Sequence, residues 1–216
     1  MRPITVSVGP LEAASNTAVC QSQTPAAAGN LLINGSEAVG GVAILDAPRR
    51  VQITSVDDES PVQFTITGTD RNGNVINETF AGPNAASKAT SLDYKTVTSV
   101  YASAATADAV TVGTNSTASS QWVYFDAYAF PQISIQVNPS DATVTVQQTL
   151  DDPNDPSNPV PLASMVWINH PDAALVNASS DVQGNYAYTP AFARLTLTGG
   201  AGSATVTFIQ SGSVVK

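Results

Sequence analysis

The chain has 216 residues, of which only 12% are charged, and its formal net charge is -9. This length accommodates one large β domain or two domains of about 100 residues each. With only eight Lys and Arg residues, the chain repels phosphate backbones, so we expect no nucleic-acid partner. Its richness in Thr and Val favours strands over helices, because β-branched residues fit a pleated surface.

Cys20 is the chain's only cysteine. A single cysteine excludes an intrachain disulfide and a cysteine-based zinc site, so we expect Cys20 to be a small apolar filler of a core. The start of the chain shows no apolar signal region, and no stretch is long enough to span a bilayer. We therefore expect no membrane partner, and assembly inside a cell followed by lysis rather than secretion.

The clearest local pattern runs from Val62 to Ala81. Apolar and polar residues alternate from Val62 to Thr67, which predicts a half-buried strand. Asn72-Gly73 follows, and these residue types can take the positive φ values of a tight hairpin turn, so we predict a turn there. The returning strand is predicted from Val75 to Ala81, with its register left open.

The rest of the first half contains further short segments rich in Thr and Val. The segment from Ala13 to Asn30 is small and polar, and we predict an extended N-terminal arm there. The low-complexity stretch 114–120 predicts a boundary between an N-terminal β domain (1–118) and a C-terminal domain (119–216), both β-sandwiches of the jelly-roll or immunoglobulin-like kind. The other predicted strands of the first half are 4–8, 31–33, 42–45, 50–55, 95–102 and 110–113.

The second half contains two further predicted hairpins. Alternating residues in 130–137 and 143–149 flank the turn signal Asn138-Pro139-Ser140-Asp141. Likewise 193–198 and 204–210 flank the glycine-rich stretch 199–202. We predict an antiparallel pair in each case.

His170 is the only histidine, in the context Asn169-His170-Pro171-Asp172. A Ser-His-Asp arrangement through His170 and Asp172 is one interpretation, but no nucleophile-elbow motif accompanies it. We expect instead a loop histidine bonded to nearby backbone. The sequence therefore predicts no catalytic residue, no cofactor and no enzymatic activity.

The segment from Asp151 to Pro159 holds three aspartates, two asparagines and three prolines. Its oxygens suit calcium, but the ligand order and the central glycine of an EF-hand are missing. We expect a stiff solvated loop and assign no metal ligand, leaving calcium binding by Asp151 to Asp155 as an open alternative.

An aromatic run extends from Trp122 to Phe130 and also contains Tyr124, Phe125 and Tyr128. We predict a strand buried between sheets. Two alternatives stay open, since aromatic side chains are common interface anchors: packing on a neighbouring domain or subunit, and binding of a carbohydrate.

Two minor motifs are interpreted as structural. Pro48-Arg49-Arg50 is the only paired basic site, and we expect it to be a solvated strand entrance. Four glycosylation sequons are attributed to chance in a Ser- and Thr-rich chain. They lie at Asn34, Asn77, Asn115 and Asn177.

Residues 48–113 resemble a recurrent element of structural proteins in tailed bacteriophages, especially short-tailed ones. The motifs that carry the resemblance are Arg50-Val51-Gln52-Ile53-Thr54-Ser55, Phe64 to Asn74, Glu78-Thr79, Gly82-Pro83-Asn84 and Tyr94 to Val100. The segments Asp151 to Pro156 and Arg194 to Leu197 resemble downstream parts of such proteins.

The resemblance implies a virion structural protein without catalytic residues. We expect a capsid decoration or cement protein that binds the major capsid protein or other virion proteins. We also expect a homotrimer that is assembled in the host cytoplasm. A tail or head-to-tail component, and a host-glycan-binding module, are the alternatives.

Overall fold

The computed structural model describes residues 3–126, 129 and 132–211, and there the protein is all-β. Two antiparallel sheets are present, consistent with two β-sandwich domains, so the predicted fold class is confirmed. No helix among these residues has the length and apolar character needed to cross a membrane. Short 3-10 turns occupy Leu162–Ser164 and Ala173–Leu175. The strands are β1 (Ile4–Val8), β2 (Ser15–Gln23), β3 (Gly29–Asn30), β4 (Ala38–Val39), β5 (Val42–Ser55), β6 (Gln63–Thr69), β7 (Val75–Ala81), β8 (Ser87–Ala102), β9 (Val110–Thr114), β10 (Ala118–Ser119), β11 (Val123–Tyr124), β12 (Ile133–Thr149), β13 (Ile168–Asn169), β14 (Val182–Tyr186) and β15 (Phe192–Gln210).

The chain divides into two compact units in an order that differs from the predicted one. Unit 1 consists of Met1–Leu11 and Thr117–Lys216, and unit 2 consists of Glu12–Ser116. The predicted division at 118/119 lies close to the point between Ser116 and Thr117 where the chain passes from unit 2 back to unit 1. The first eleven residues, however, belong to the same unit as the C-terminal half, because β1 pairs with β15. Unit 2 is therefore an insertion in the chain of unit 1.

The segment predicted to be an extended arm contains strand β2 instead. Cys20 lies opposite Val112 of β9 and is fully buried in the core of unit 2. The small residues serve close packing here: a Cβ on Gly113 would lie 1.8 Å from the backbone oxygen of Ser15. Burial raises the pKa of the Cys20 thiol to about 12, so this residue is the inert core filler that the sequence predicted.

Unit 2 is built on one eight-stranded sheet. Its strand order is β2-β9-β5-β8-β6-β7, with β3 added to β8 and β4 added to β5. The predicted segment 31–33 is not a strand, although both Leu31 and Ile33 are buried. The inward side chains form one hydrophobic cluster, because alternate residues of each strand share a face. Its members include Val19, Leu31, Leu45, Val51, Ile53, Phe64, Ile66, Tyr94, Val97, Val100, Val110 and Val112.

The predicted hairpin from Val62 to Ala81 is present as β6 and β7. The register pairs Phe64 with Phe80 and Thr69 with Val75. The connection is five residues long, and its amides are organised by Asp70, whose Oδ1 accepts hydrogen bonds from the backbone N–H groups of Asn72 and Asn74. Gly73 alone in this turn has a positive φ, of 84°.

Substituting Gly73 with valine should lower the free energy of unfolding by about 1 kcal/mol or more, since a β-branched residue is strained at positive φ. Space does not oppose the new side chain, because a Cβ there would have no neighbour within 4 Å. Urea unfolding of the variant beside Asn72→Val, at a position with ordinary φ, measures the difference. Equal stabilities would contradict the assigned turn conformation.

The two hairpins predicted in the second half are absent from the described residues of unit 1, so this prediction was wrong. The segments around Asn138 and those around Gly200 do not fold back on themselves. They form two continuous strands, β12 and β15, that pair with each other from Ile133↔Gln210 to Thr149↔Phe192. Strands β13 and β14 add to β12, and β1, β10 and β11 add to β15.

The turn-like residues of the two strands lie opposite each other and form a kink. The register shifts between Ser140 and Ala142, where Asp141 has a φ of 53° and Gly200 a φ of 87°. A Cβ on Gly202 would lie 1.8 Å from the backbone oxygen of Ser140. Glycine and turn formers are therefore needed for a shared bulge and a close backbone approach rather than for a chain reversal.

The paired basic site is buried, and the prediction of a solvated strand entrance was wrong. The Arg49 side chain is only 1% exposed, and that of Arg50 is 11% exposed. Arg50 Nε donates to Asp93 Oδ1 at 2.7 Å, and its Nη1 donates to the Thr90 carbonyl. Each arginine donates to acceptors that are distant in sequence, and Arg49 also to Asp46 of its own strand. A local charge pattern does not reveal this tertiary arrangement.

Candidate interaction surface

Four aromatic side chains form a cluster at one end of the β12–β15 ladder. The ring centres of Trp122 and Trp167 are 5.1 Å apart, and Phe192 lies 6.0 Å from Trp122 and 5.5 Å from Tyr124. Phe192 is buried, both tryptophans are half-buried, and Tyr124 is 60% exposed. We call Trp122, Tyr124, Trp167 and Phe192 the aromatic surface.

Three separate chain segments supply the aromatic surface. Strand β11 pairs with the start of β15, which places Tyr124 opposite Phe192. Trp167 directly precedes β13, the short strand that adds to the end of β12. The long β12–β15 ladder is thus the rigid scaffold on which both peripheral strands present their aromatic residues.

The guanidinium group of Arg194 stacks on the ring of Trp167. Its guanidinium carbon lies 4.0 Å from the centre of the Trp167 ring, which is a cation–π contact. The guanidinium is fixed in turn, because its Nε and Nη2 both donate to Gln147 Oε1, at 3.0 and 2.9 Å. Gln147 Nε2 donates to Asn169 Oδ1 at 3.0 Å. This row across three strands makes Trp167 a positioned side chain rather than a loosely exposed one.

Large apolar side chains are exposed next to the aromatic surface along the chain. Leu150 is 75% exposed, Val166 is 62% exposed and Ile168 is 59% exposed. The backbone N–H of Val166 donates to Asp151 Oδ2 at 2.6 Å, which ties the segment before Trp167 to the end of β12. Apolar exposure concentrated in this way is typical of an interaction site.

The predicted buried aromatic strand is therefore only partly present. Phe125 is buried and packs edge-on against Phe208, with ring centres 5.4 Å apart. Trp122 is half-buried and Tyr124 is exposed, and both belong to the aromatic surface instead. Tyr128 and Phe130 lie outside the described residues.

His170 is bonded to nearby backbone, as the sequence predicted. Its Nδ1 accepts a hydrogen bond from the backbone N–H of Asp172 at 3.0 Å. The Asp172 carboxylate points elsewhere, because its Oδ1 accepts from the Ala174 N–H and caps the following 3-10 turn. The imidazole is 4% exposed and its ring centre lies 4.6 Å from that of Tyr186. The structure thus does not bring the Asp172 carboxylate to His170 as a catalytic pair.

The carboxylates of the Asp151 to Asp155 loop accept hydrogen bonds from local backbone amides. Asp152 Oδ1 accepts from Asn154 N at 2.8 Å, and Asp155 Oδ1 accepts from Ser157 N at 2.7 Å. The bonds from the backbone N–H groups of Ser157 and Asn158 hold the pKa of Asp155 below its usual range. In the described part of the chain no three His, Cys, Asp or Glu side chains are grouped as metal ligands.

Sequence reasoning missed two members of this surface. Trp167 lies 45 positions after Trp122, in a segment without a strand pattern. Its rarity is the one available signal, because Trp122 and Trp167 are the chain's only tryptophans. Phe192 was missed because it lies opposite Tyr124 only through the pairing of β11 with β15.

Comparison of the chain with known proteins found no matching family model and no matching curated protein.

Proposed function

We propose that this chain is a non-enzymatic structural protein of a bacteriophage particle, and specifically a capsid decoration or cement protein that binds the major capsid protein. The observation that carries the proposal is the aromatic surface, in which Tyr124 is exposed and Trp167 is held in place by Arg194. Rigid aromatic side chains are the usual anchors of protein interfaces, because they bury a large area at little entropic cost.

The charge of the protein and its resemblance to phage proteins support the same role. A net charge of -9 keeps an exposed protein soluble and away from packaged DNA. Asp151 lies beside the aromatic surface through its bond to Val166, so the complementary patch on the partner is apolar with a basic rim. The motifs in residues 48–113 add the resemblance to structural proteins of short-tailed phages.

The proposed assembly is a homotrimer on the outside of the head, formed in the host cytoplasm and retained in the virion. Three copies close a ring and match a local three-fold site of an icosahedral shell. The alternative placement is in the tail or the head-to-tail ring. Quantification against the major capsid protein in purified virions separates the two, since hundreds of copies support decoration and about twelve or fewer support a tail or collar site.

The binding test uses Tyr124→Ser, which removes the most exposed ring of the aromatic surface. Purified variant protein, added to particles that lack this protein, should bind about tenfold more weakly or worse, as expected for an interface anchor. Co-sedimentation with the particles measures the affinity. The control is Val75→Ser, which removes a similarly exposed apolar residue of unit 2. Equal binding by Tyr124→Ser and the unaltered protein would contradict the proposed docking surface.

A second candidate function, binding of a host glycan, uses the same residues. It is favoured by the pair of half-buried tryptophans beside the side-chain amides of Gln147 and Asn169. Host polysaccharide is the probe, measured by the quenching of tryptophan fluorescence. Saturable quenching that Tyr124→Ser abolishes, together with unchanged binding of the variant to particles, would favour the glycan function.

A further inference from the structure

The bond from Asp172 N–H to His170 Nδ1 requires a neutral imidazole. Nδ1 accepts this hydrogen bond, so the ring proton of the neutral form is on Nε2. Protonation would place a second N–H on Nδ1, directly facing the N–H of Asp172. Nε2 is buried and has no hydrogen-bond partner among the described residues, and the same holds for the hydroxyl of Tyr186. Backbone hydrogen bonding at Asn185 and Asp172 favours a charged imidazole, but burial outweighs it, so protonation of the ring is opposed and costs the bond to Asp172 N–H.

His170 directly follows Trp167 and strand β13, which together we call the segment of Trp167, and lies where this segment is attached to the core of unit 1. Its backbone N–H donates to the Val146 carbonyl of β12 at 2.9 Å, continuing the pairing of β13. After it, Asp172 begins the 3-10 turn that ends at Leu175, which is fully buried and faces Gly184 of β14. The imidazole contact and the Asp172 bond thus join the segment of Trp167 to this anchored turn.

We propose that His170 is an acid-sensitive latch. The neutral imidazole holds the segment of Trp167 in place, and protonation of the imidazole releases that segment and disrupts the packing of the aromatic surface. All contacts of His170 that this proposal uses lie within unit 1, so the release of the segment can be measured without a partner. Its consequence, weaker docking on the particle at acid pH, rests on the proposed function.

The charged and titratable groups around His170 set the pH range. Burial lowers the pKa of His170 below its usual 6.5, while the charge of Asp172 and backbone hydrogen bonds at Asn185 and Asp172 oppose that shift. From β14 the ring faces Tyr186, whose pKa burial raises far above neutrality, so Tyr186 stays uncharged. Tyr188 lies next to Tyr186, and Arg194 lies on the far side of Trp167.

The lowered pKa of His170 determines whether acidification stabilises or destabilises the latched state. Above about pH 6.5 both folded and unfolded chains carry a neutral His170, and its packing contributes in full. As the pH falls below that value, the unfolded or released segment binds a proton before the latched one does. Stability of the latched state therefore decreases on acidification, down to the pKa of the latched His170.

Tryptophan fluorescence tests the latch in the full-length protein, because both tryptophans belong to the aromatic surface. Between about pH 8 and pH 5, the emission maximum should shift to longer wavelength, with a midpoint below 6.5. In His170→Asn the amide oxygen replaces Nδ1 as the acceptor but does not titrate, so the shift should be lost. Asp172→Asn keeps a side-chain oxygen for the cap but removes the charge, so the midpoint should move to lower pH.

The same fluorescence shift in His170→Asn, or no shift in the unaltered protein, would overturn the latch. Should His170→Asn fail to fold, the displacement of the midpoint in Asp172→Asn still tests the proposal, and an unchanged midpoint would overturn it. None of these measurements uses a partner. A fluorescence shift with no particle binding at any pH would leave the latch standing and would refute the proposed docking function.

Discussion

Replacing Arg49 with methionine is expected to lower the free energy of unfolding of unit 2 by about 3–5 kcal/mol, because the loss of one member of a buried ionic network leaves the others unpaired. The side chain is 1% exposed. Its Nη1 donates to the Glu12 carbonyl at 3.0 Å and to Asp46 Oδ1 at 3.1 Å, and its Nε donates to the Asn115 carbonyl at 3.1 Å.

The position of these acceptors explains why the effect should be large. Glu12 is the first residue of unit 2 and Asn115 the last but one, so Arg49 joins the two segments through which the chain enters and leaves the inserted unit. Methionine conserves much of the volume but donates no hydrogen bond, so two backbone carbonyls and the Asp46 carboxylate lose the hydrogen bonds that Arg49 donates.

The Arg49 network also predicts a pH dependence. Burial opposes ionisation of Asp46, but hydrogen bonds from the Glu12 N–H and from Arg49 outweigh it and hold the pKa of Asp46 below its usual 3.8. The stabilisation is therefore complete above about pH 4 and is lost as the pH falls through the lowered value.

Urea unfolding at neutral pH measures the effect of Arg49→Met. Lys88→Met is the matched control, since it also removes one cation from unit 2 but at an exposed position. If both variants lost the same small amount of stability, the role of Arg49 as a structural clamp would be disproved.

Replacing Glu59 with alanine should destabilise unit 2 by about 3 kcal/mol, because two backbone hydrogen bonds of about 0.5–1.5 kcal/mol each are lost together with the packing of a fully buried side chain. Glu59 is fully buried. Its Oε2 accepts from Ala107 N and its Oε1 from Asp108 N, both at 2.9 Å. Through these bonds a single carboxyl group fixes the loop that leads into β9.

Glu59→Gln should have a smaller effect than Glu59→Ala, because the amide keeps one acceptor oxygen. Asp57→Ala removes an exposed carboxylate two positions away and serves as the control. Thermal unfolding gives the order of stabilities, and hydrogen exchange reports the amides of Ala107 and Asp108. Unchanged protection of these amides in Glu59→Ala would contradict the assigned role.

Local sequence patterns determined the strands of unit 2 well. The alternation of apolar residues at Val62, Phe64 and Ile66 reappears as buried positions of the sheet. Asn72-Gly73 marked the reversal, although the turn is longer than a two-residue loop. These features depend on residues close in the chain, so their physical causes, side-chain alternation and backbone preference, can be read locally.

The aromatic surface was only partly visible in the sequence. Trp122 and Tyr124 stood out as an aromatic run, and an interface was among the alternatives weighed for it. Their partners, Trp167 and Arg194, come from other segments and meet them only through strand pairing. A site assembled from segments far apart in sequence has no local periodicity or spacing by which to recognise it.

By itself, the sequence determined that this protein is all-β, has an inert buried cysteine, and bonds its one histidine to local backbone. Tertiary structure alone decided which strands pair and which unit each end belongs to. Thr5 bonds Thr207 across 202 positions, and the turn formers around Asp141 and Gly200 make a shared kink because they face each other. The physical reason is that a turn residue specifies a backbone angle and not a partner, and pairing is chosen by the burial of whole sheet faces.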